Sequence, residues 1–201
     1  MSVETLIDVI NQFAAQQSNP VLEILPRDGH IEYDRKYPEP ILDFATGGVC
    51  AYYHCHSTAN RPAAEHGHFH IFLQNEAGQW CHLAGLSVDA YGQPLQWFTV
   101  NHWVTGEAWG QSQVLLHGLA CLVSSPQHNL VEQWLLALLQ FYESRLAELL
   151  RERDAQILSL SAHQVEDLLL QDKTIYTLSS LDIHLLQDIE AAMDSRNCEN
   201  I

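Results

Sequence analysis

Residues 48–104 read GVCAYYHCHSTANRPAAEHGHFHIFLQNEAGQWCHLAGLSVDAYGQPLQWFTVNHWV, and four short runs in them are rich in aromatic and β-branched residues: VCAYYHCHS, HFHIFLQ, WCHLAGLSV and LQWFTVNHWV. The stretches between these runs carry the Gly, Pro, Asn and Asp residues that are typical of turns. Parallel neighbours need crossovers of about a dozen residues or more, so runs this closely spaced favour antiparallel pairing. The pattern predicts an antiparallel β-sheet or small barrel over about residues 41–124.

Helices are predicted on both sides of this sheet. Residues 3–17 place apolar side chains at helical spacing, and prolines then interrupt residues 19–41. After Pro126, Asn129 and Glu132 can cap a helix whose apolar stripe covers about 24 residues. Further helices are predicted to start near Ser161 and Ser180. The run SQVLLHGLACLVS, residues 112–124, fits either a strand or a short helix.

The elements predict a single α+β domain over residues 1–201. Residues 1–40 would form an N-terminal helix and an irregular Pro-rich segment. Residues 41–125 would form a His-rich antiparallel β core, and residues 126–201 a helical C-terminal segment. The last helices are expected either to cover one face of the sheet or to make a homodimer contact.

The composition excludes several functional classes. The chain has 201 residues, 47% of them hydrophobic and 17% charged, so it can bury a real core. Nine Lys and Arg against 25 Asp and Glu give a formal charge of −16, which argues against binding to nucleic acid or anionic membranes. No run resembles a secretory signal or a membrane span, and five scattered cysteines do not resemble a disulfide framework. We expect a soluble cytoplasmic protein.

Histidine is the unusual residue type in this chain. Twelve histidines exceed the nine Lys and Arg together. Side chains two residues apart along a strand share one face, so the runs HCH (54–56) and HGHFH (66–70) would each present their histidines together. Seven histidines with even numbers lie within residues 54–102: His54, His56, His66, His68, His70, His82 and His102.

Pairing of the first two runs as a hairpin would bring these imidazoles together. His56 would lie opposite His66, and His54 opposite His68. Opposed Cβ atoms are about 5 Å apart, close enough for two imidazoles to share a metal ion at bond lengths of about 2.0–2.1 Å. The sequence therefore predicts a metal site on one face of the sheet.

Two further histidines and a carboxylate complete the predicted site. With even registers on the next strands, His82 and His102 would reach the same face and oppose each other, while Glu65 abuts the second histidine run and Glu107 is a further candidate. Imidazole binds Fe, Zn, Cu and Ni, and the identity of the ion stays open. The predicted metal ligands are His54, His56, His66, His68, His70, His82, His102 and Glu65, with His54, His56 and His68 the first choices.

One stretch of the chain resembles a known metal motif. Gly48, His54 and His56 are similar to the opening Gly-x5-His-x-His of the cupin family. The resemblance covers a handful of residues and implies a metal held inside an antiparallel barrel. The cupin motif continues with a Glu shortly after the second histidine, where this chain has Asn60 and Arg61.

The predicted function is transition-metal binding, with a preference for a metal-dependent enzyme acting on a small molecule. Such an enzyme would use oxygen if the ion is Fe and would be hydrolytic if it is Zn. Between Tyr37 and Ser144 the only Lys or Arg is Arg61, so the histidines lie in an aromatic, weakly charged region that suits a pocket. Two alternatives remain: a non-catalytic module that binds haem or another small ligand, and a structural or interaction protein with inert histidines.

Overall fold

The computed structural model describes residues 3–44, 48–57, 62–161 and 166–199, and these contain eight helices and six strands. The first elements are α1 (Val3–Ala15), α2 (Pro20–Ile24), β1 (Tyr37–Asp43), β2 (Val49–His54), β3 (Gly67–Gln74), β4 (Trp80–Val88) and β5 (Pro94–Val100). They are followed by α3 (His102–Thr105), α4 (Ser112–Ala120), α5 (Leu130–Phe141), α6 (Glu143–Ser161), α7 (Glu166–Leu170), β6 (Thr177–Asp182) and α8 (Leu185–Glu199). Asn60 and Arg61, which stand where cupins carry Glu, lie outside the described residues.

The strands form one antiparallel sheet in the order β1-β2-β3-β4-β5-β6. β1 to β5 follow one another as a meander, whereas β6 returns after α3 to α7 and pairs with β5. β1 and β6 are the two edges, so the described sheet is open. The predicted α+β fold with an antiparallel sheet and helices before and after it is confirmed, and its barrel alternative, which the cupin resemblance also implied, is wrong.

One face of the sheet forms the main core together with the helices. Leu6 of α1 and Leu135 of α5 are fully buried in the same apolar cluster as the side chains of this face. The ring of Trp134 in α5 lies 5.7 Å from that of Phe69. We call this surface the core face, and it includes Ala51, Phe69, Ile71, Leu86 and Trp97.

The opposite side of the sheet carries the histidines. Because side chains alternate along a strand, the neighbours of the core residues point away from α1 and α5. His54 of β2 lies opposite His68 of β3, and Gly85 of β4 lies opposite Phe98 of β5. We call this surface the histidine face, and it includes His54, His68, His70, His82 and Phe98.

A β-bulge in β4 decides that His82 belongs to the histidine face. Ile71 lies opposite Ala84 whereas the next residue, Phe72, lies opposite His82, so Leu83 is an extra residue in β4. An extra residue of this kind reverses the alternation along the bulged strand. Without the bulge, His82 would point into the core rather than towards the other histidines.

Gly85 allows an aromatic ring to lie against the histidines. A Cβ atom at Gly85 would lie 2.2 Å from the ring of Phe98, so only glycine leaves room for that ring. Phe98 in turn lies edge-on to His68, at 5.3 Å between ring centroids, and to His70, at 6.0 Å. Any side chain at position 85 would displace Phe98 from its contact with the imidazoles.

The chain departs from the sequence prediction where the fourth run ends. Strand β5 stops at Val100 because the side chain of Asn101 accepts a hydrogen bond from the His102 N–H and caps α3. His102 therefore begins a helix instead of extending a strand. Within the segment predicted to be helical, residues 177–182 form β6, because they pair with β5.

The remaining elements refine the predicted boundaries. β1 begins at Tyr37, inside the segment predicted to be irregular, and residues 112–120 form a helix, which settles the open alternative there. Asn129 and Glu132 form the predicted capping box, but Tyr142 divides the long apolar stripe into α5 and α6. The helix predicted near Ser161 falls partly on residues 162–165, outside the described residues. Among the described helices, none combines the length and apolar character needed to cross a bilayer.

Candidate metal centre

The predicted pairing of His54 with His68 is confirmed by the register of β2 and β3. Nε2 of His54 lies 2.8 Å from Nε2 of His68, so one of these nitrogens donates a proton and the other accepts it. The ring centroids are 4.5 Å apart and the rings are nearly perpendicular. Two strands thus aim two imidazole nitrogens at one point.

His70 adds a third nitrogen to this point. It lies two residues beyond His68 on β3 and is buried to 1% exposure, against 4% for His68. One ligand atom each from His54, His68 and His70 can be chosen so that all three lie within 4.8 Å of one another. The three imidazoles, which we call the inner triad, have the spacing of ligands that could share a metal ion.

Glu65 orients His68 from the loop before β3. The strand begins only at Gly67, so Glu65 is free to turn inward and is buried to 7% exposure. Its Oε1 accepts from Nδ1 of His68 at 2.8 Å, and its Oε2 accepts from the Ser87 hydroxyl at 2.6 Å. Burial acts to raise the pKa of Glu65, but the bonds from His68 and Ser87 outweigh it and the pKa is lowered. With its proton on Nδ1, His68 presents the lone pair of Nε2 towards the inner triad.

His82 of β4 extends the row of imidazoles beyond His70. Its Nε2 lies 2.9 Å from Nδ1 of His70, and the two ring centroids are 5.0 Å apart. Burial and the guanidinium of Arg153 lower the pKa of His82 to about 3. When Nδ1 of His70 donates to His82, Nε2 of His70 keeps a lone pair for a ligand.

At the other end of the row, His56 is paired with a carboxylate that the sequence did not indicate. Nδ1 of His56 lies 2.5 Å from Oδ1 of Asp34. The ring of His56 contacts that of His54, at 4.7 Å between centroids. Asp34, His54 and His56 form a second group whose ligand atoms lie within 4.8 Å of one another, and we call it the outer triad.

Two predicted members of the site lie elsewhere. His66 precedes β3, and its Nδ1 forms a hydrogen bond with the hydroxyl of Tyr53 at 2.5 Å. The predicted pairing of His66 with His56 is wrong because neither residue belongs to the paired strands β2 and β3. His102 lies in α3, where its Nδ1 accepts from Nε2 of Gln171 at 2.9 Å. The predicted position of His102 on a strand opposite His82 is wrong because the Asn101 cap ends the strand first.

His82 and His102 nevertheless come near each other at a small cavity. This cavity has a volume of about 10 Å³, and its lining also includes Glu107 and Arg153. Glu107, the second carboxylate considered from sequence, therefore lies at the His82 end of the row. The volume is close to that of a single water probe, about 10–15 Å³, so no small molecule fits there.

Burial keeps the central imidazoles neutral. Together with the neighbouring His68, burial lowers the pKa of His54 to about 3. Burial and then His82 lower the pKa of His70 well below its ordinary value. Both rings are therefore uncharged near pH 7, and neutral imidazole is the form that binds a metal ion.

A cleft of about 430 Å³ opens beside the inner triad. His68 and Glu65 form part of its wall, so a ligand in the cleft would lie next to the converging nitrogens. This volume falls within the range of small-molecule sites, about 300–1,000 Å³. The cleft is lined by His56, Pro62, Glu65, His68, Gln96, Phe98, Tyr176 and Thr177.

Comparison with known proteins places the chain in a family without assigning an activity. The model of a family described as a domain of unknown function, DUF6969, matches residues 2–183. The chain belongs to the DUF6969 family. A search of the curated proteins and a search of the solved structures return no match. For this DUF6969 chain, the geometry of the histidine face is therefore the feature that bears on function.

Sequence reasoning about this DUF6969 chain missed Asp34 and Ser87. Asp34 lies 22 residues before His56, in a segment where no periodicity or spacing marks it. Ser87 reads as an ordinary strand residue, and only the register, which sets it opposite His68, brings it to Glu65. A correct register for β3 and β4 would have found Ser87, whereas no sequence signal would have found Asp34.

Proposed function

We propose that this protein binds a transition-metal ion through the inner triad of His54, His68 and His70. The observation that carries the proposal is the convergence of three imidazoles from two paired strands, with the Glu65 carboxylate on the far nitrogen of His68. Metal-binding histidines almost always donate their other N–H to such a partner, which fixes the tautomer and makes the ligand more basic. Binding would replace the hydrogen bond between His54 and His68, and the proton on Nε2 of His54 would move to the other nitrogen of that ring.

The donor set favours zinc over iron at the inner triad. Three imidazoles with one open position are a common set for catalytic zinc, although Cu, Ni and Fe also accept nitrogen ligands. An iron site of the two-histidine, one-carboxylate type would need a carboxylate oxygen. Both oxygens of Glu65 are already engaged, by His68 and Ser87, so Glu65 serves as an orienting group.

We also propose that the bound ion serves a metal-dependent enzyme acting on a small molecule, hydrolytic with Zn and oxygen-using with Fe. The cleft beside His68 supports this, because a storage site has no need of an adjoining space for a substrate. Phe98 and Tyr176 offer apolar walls, while Gln96 and Thr177 offer hydrogen bonds and no charge. This lining suits an uncharged small molecule, and a bound ion would act there as a Lewis acid.

Elemental analysis of protein purified without an affinity tag tests the metal site. We expect about one equivalent of a transition metal for the inner triad, retained on gel filtration. The double variant His54→Ala/His68→Ala should lose this metal while keeping its circular dichroism spectrum. His117→Ala removes an exposed histidine of α4 and should leave the metal content unchanged.

Two results would contradict the proposal. One is a wild-type protein with less than about a tenth of an equivalent of any transition metal and no uptake when Zn, Fe, Cu or Ni is added. The histidines would then form hydrogen-bonded pairs only, as His54 and His68 do here. The other is full metal content in the double variant, which would mean that other residues hold the ion.

A further inference from the structure

The proposed function does not use Asp34 and His56, which form the outer triad together with His54. Its ligand atoms lie within 4.8 Å of one another, the same spacing that defines the inner triad. The two triads have only His54 in common. Each group on its own has the number of ligands that an ion with open coordination positions requires.

We infer that the histidine face binds two metal ions, the second of them held by Asp34, His54 and His56, with the imidazole of His54 shared between the two. This inference rests on the proposed function, because it takes the inner triad as the first ion's site. It adds a new site with its own donor set, two histidines and one carboxylate.

The chemistry of imidazole permits His54 to serve both ions. The ring has two nitrogens on different edges, and each can bind a metal once its proton has left. Nε2 of His54 points to His68 of the inner triad, and the His54 ring also contacts the ring of His56 of the outer triad. Two metal–nitrogen bonds of about 2 Å and the width of the ring would place the ions roughly 6 Å apart.

Asp34 is fixed in position for this role by two contacts with the segment after β2. Its backbone N–H donates to the carbonyl of Cys55 at 3.0 Å, and its carboxylate contacts Nδ1 of His56. The backbone of Asp34 has a positive φ of 63°, a conformation that costs energy for most residues but that Asp tolerates better than most. The carboxylate is thereby held next to the histidines.

The two sites differ in exposure and charge, so they should fill in order. The side chains of Asp34 and His56 are 71% and 25% exposed, whereas His68 and His70 of the inner triad are buried. Lys36, whose ammonium lies 4.2 Å from the centre of the Tyr52 ring, is an unfavourable positive charge near the outer triad. The outer ion should therefore bind more weakly and exchange faster than the inner one.

The donor set of the outer triad also differs from that of the inner triad. Two histidines and one carboxylate are the ligands of many oxygen-using Fe(II) enzymes, and they accept Zn and Mn as well. His56 lines the cleft beside the inner triad, so the second ion would border the same cleft. A substrate in the cleft would then contact two ions of different ligation.

Metal stoichiometry tests the inference separately from the proposed function. Tag-free protein stripped with a chelator is dialysed against increasing free Zn²⁺, and bound Zn is measured. We expect about two equivalents in the wild type, filled in two resolved steps. Asp34→Ala and His56→Gln should each bind about one equivalent of Zn at the tight step. The matched control Asp28→Ala, which removes an exposed carboxylate from the same loop, should bind about two equivalents.

The number of zinc equivalents bound decides between one metal site and two. One equivalent in the wild type, or two in Asp34→Ala, overturns the second site and leaves the inner triad as proposed; Asp34 then only orients His56. No binding by the wild type overturns the proposed function and this inference together.

Loading with Cu²⁺ gives an independent readout, because two Cu²⁺ ions joined through His54 should couple magnetically and lose signal in the electron paramagnetic resonance spectrum. Asp34→Ala should restore the signal of an isolated Cu²⁺ ion, and an uncoupled two-copper signal in the wild type would contradict the shared imidazole.

Discussion

The core face and the histidine face are built from the same strands and both contain buried side chains, but apolar and polar side chains differ in the free-energy cost of burial. Phe69, Leu86 and Trp97 on the core face are fully buried, and burying an apolar side chain stabilises a protein by about 1.5–3 kcal/mol. His68 and His70 are 4% and 1% exposed, yet each imidazole carries two nitrogens that need partners. Burial of apolar side chains explains the core face, whereas the imidazole nitrogens of the histidine face find their partners in one another and in Glu65.

Truncation of the core face should have the largest effect on stability. Phe69→Ala removes a fully buried ring that contacts Trp134, and we expect a loss of about 3–5 kcal/mol in the free energy of unfolding. Urea denaturation followed by circular dichroism measures this loss. The matched variant Phe98→Ala removes a ring that borders the cleft, where water can fill the space, so its loss should be about 1–3 kcal/mol. Equal losses would mean that both faces contribute alike to stability.

The next largest effect is expected on metal affinity, when a residue that orients a histidine of the inner triad is changed. Glu65→Gln keeps the size of the side chain but removes the charge that accepts the Nδ1 proton of His68. We expect metal affinity to fall by about 10–100-fold, as for other changes to residues that orient metal ligands. Competition with a chromogenic chelator measures the affinity, and Glu76→Gln, in the exposed β3–β4 turn, is the control. An unchanged affinity in Glu65→Gln would show that His68 does not depend on Glu65 for its orientation.

The contrast between the faces also explains which parts of the fold could be predicted from sequence. Alternation within a strand depends on local geometry, so the common face of His68 and His70 could be predicted from their spacing. The position of His82 depends on one extra residue, Leu83, in β4, and a bulge leaves no periodic signal in the sequence. The end of β5 was also missed, because Asn101 looks like a strand residue until its side chain is seen to cap α3.

In the candidate site, the histidines on strands could be predicted from sequence, whereas the roles of the carboxylates in loops could not. The hairpin pairing of His54 with His68 follows from the length of the connection and the histidine spacing. The roles of Glu65 and Asp34 depend on loops, whose conformation is set by tertiary contacts rather than by periodicity. Asp34 reaches His56 across 22 residues of sequence through a bond to the Cys55 carbonyl, and no local pattern encodes that contact.

The pH dependence of stability should reveal the neutral histidines of the metal-free protein. The pKa values of His54 and His70 are lowered in the folded state, so below about pH 6.5 the unfolded chain binds more protons than the folded one. Stability is therefore complete above pH 6.5 and is lost as the pH falls towards the lowered values, by about 1 kcal/mol for each histidine between roughly pH 7.5 and 5.5. Urea midpoints across this range measure the slope.

A variant separates these histidines from the other titrating groups. His70→Gln cannot take up the proton, so its stability should depend less on pH between about 7.5 and 5.5 than that of the wild type. His117→Gln, in which an exposed histidine of α4 is replaced, should keep the wild-type slope. If stability rises as the pH falls through this range, the buried rings are not held neutral in the folded protein.

The smallest effect on metal content and stability is expected for His102. The sequence predicts this histidine to be a metal ligand, but in the structure it lies in α3, beside the site. His102 lies in α3 and bonds Gln171, and it meets His82 only across a cavity of about 10 Å³. His102→Ala should leave metal content unchanged and alter stability by no more than about 0.5 kcal/mol, since it removes one hydrogen bond between exposed side chains. The metal contents of His102→Ala and His68→Ala are measured side by side, because His68 is predicted to be essential for metal binding and His102 is predicted to be dispensable. A loss of metal in His102→Ala as large as in His68→Ala would mean that α3 contributes a ligand, and that the metal centre extends past the histidine face.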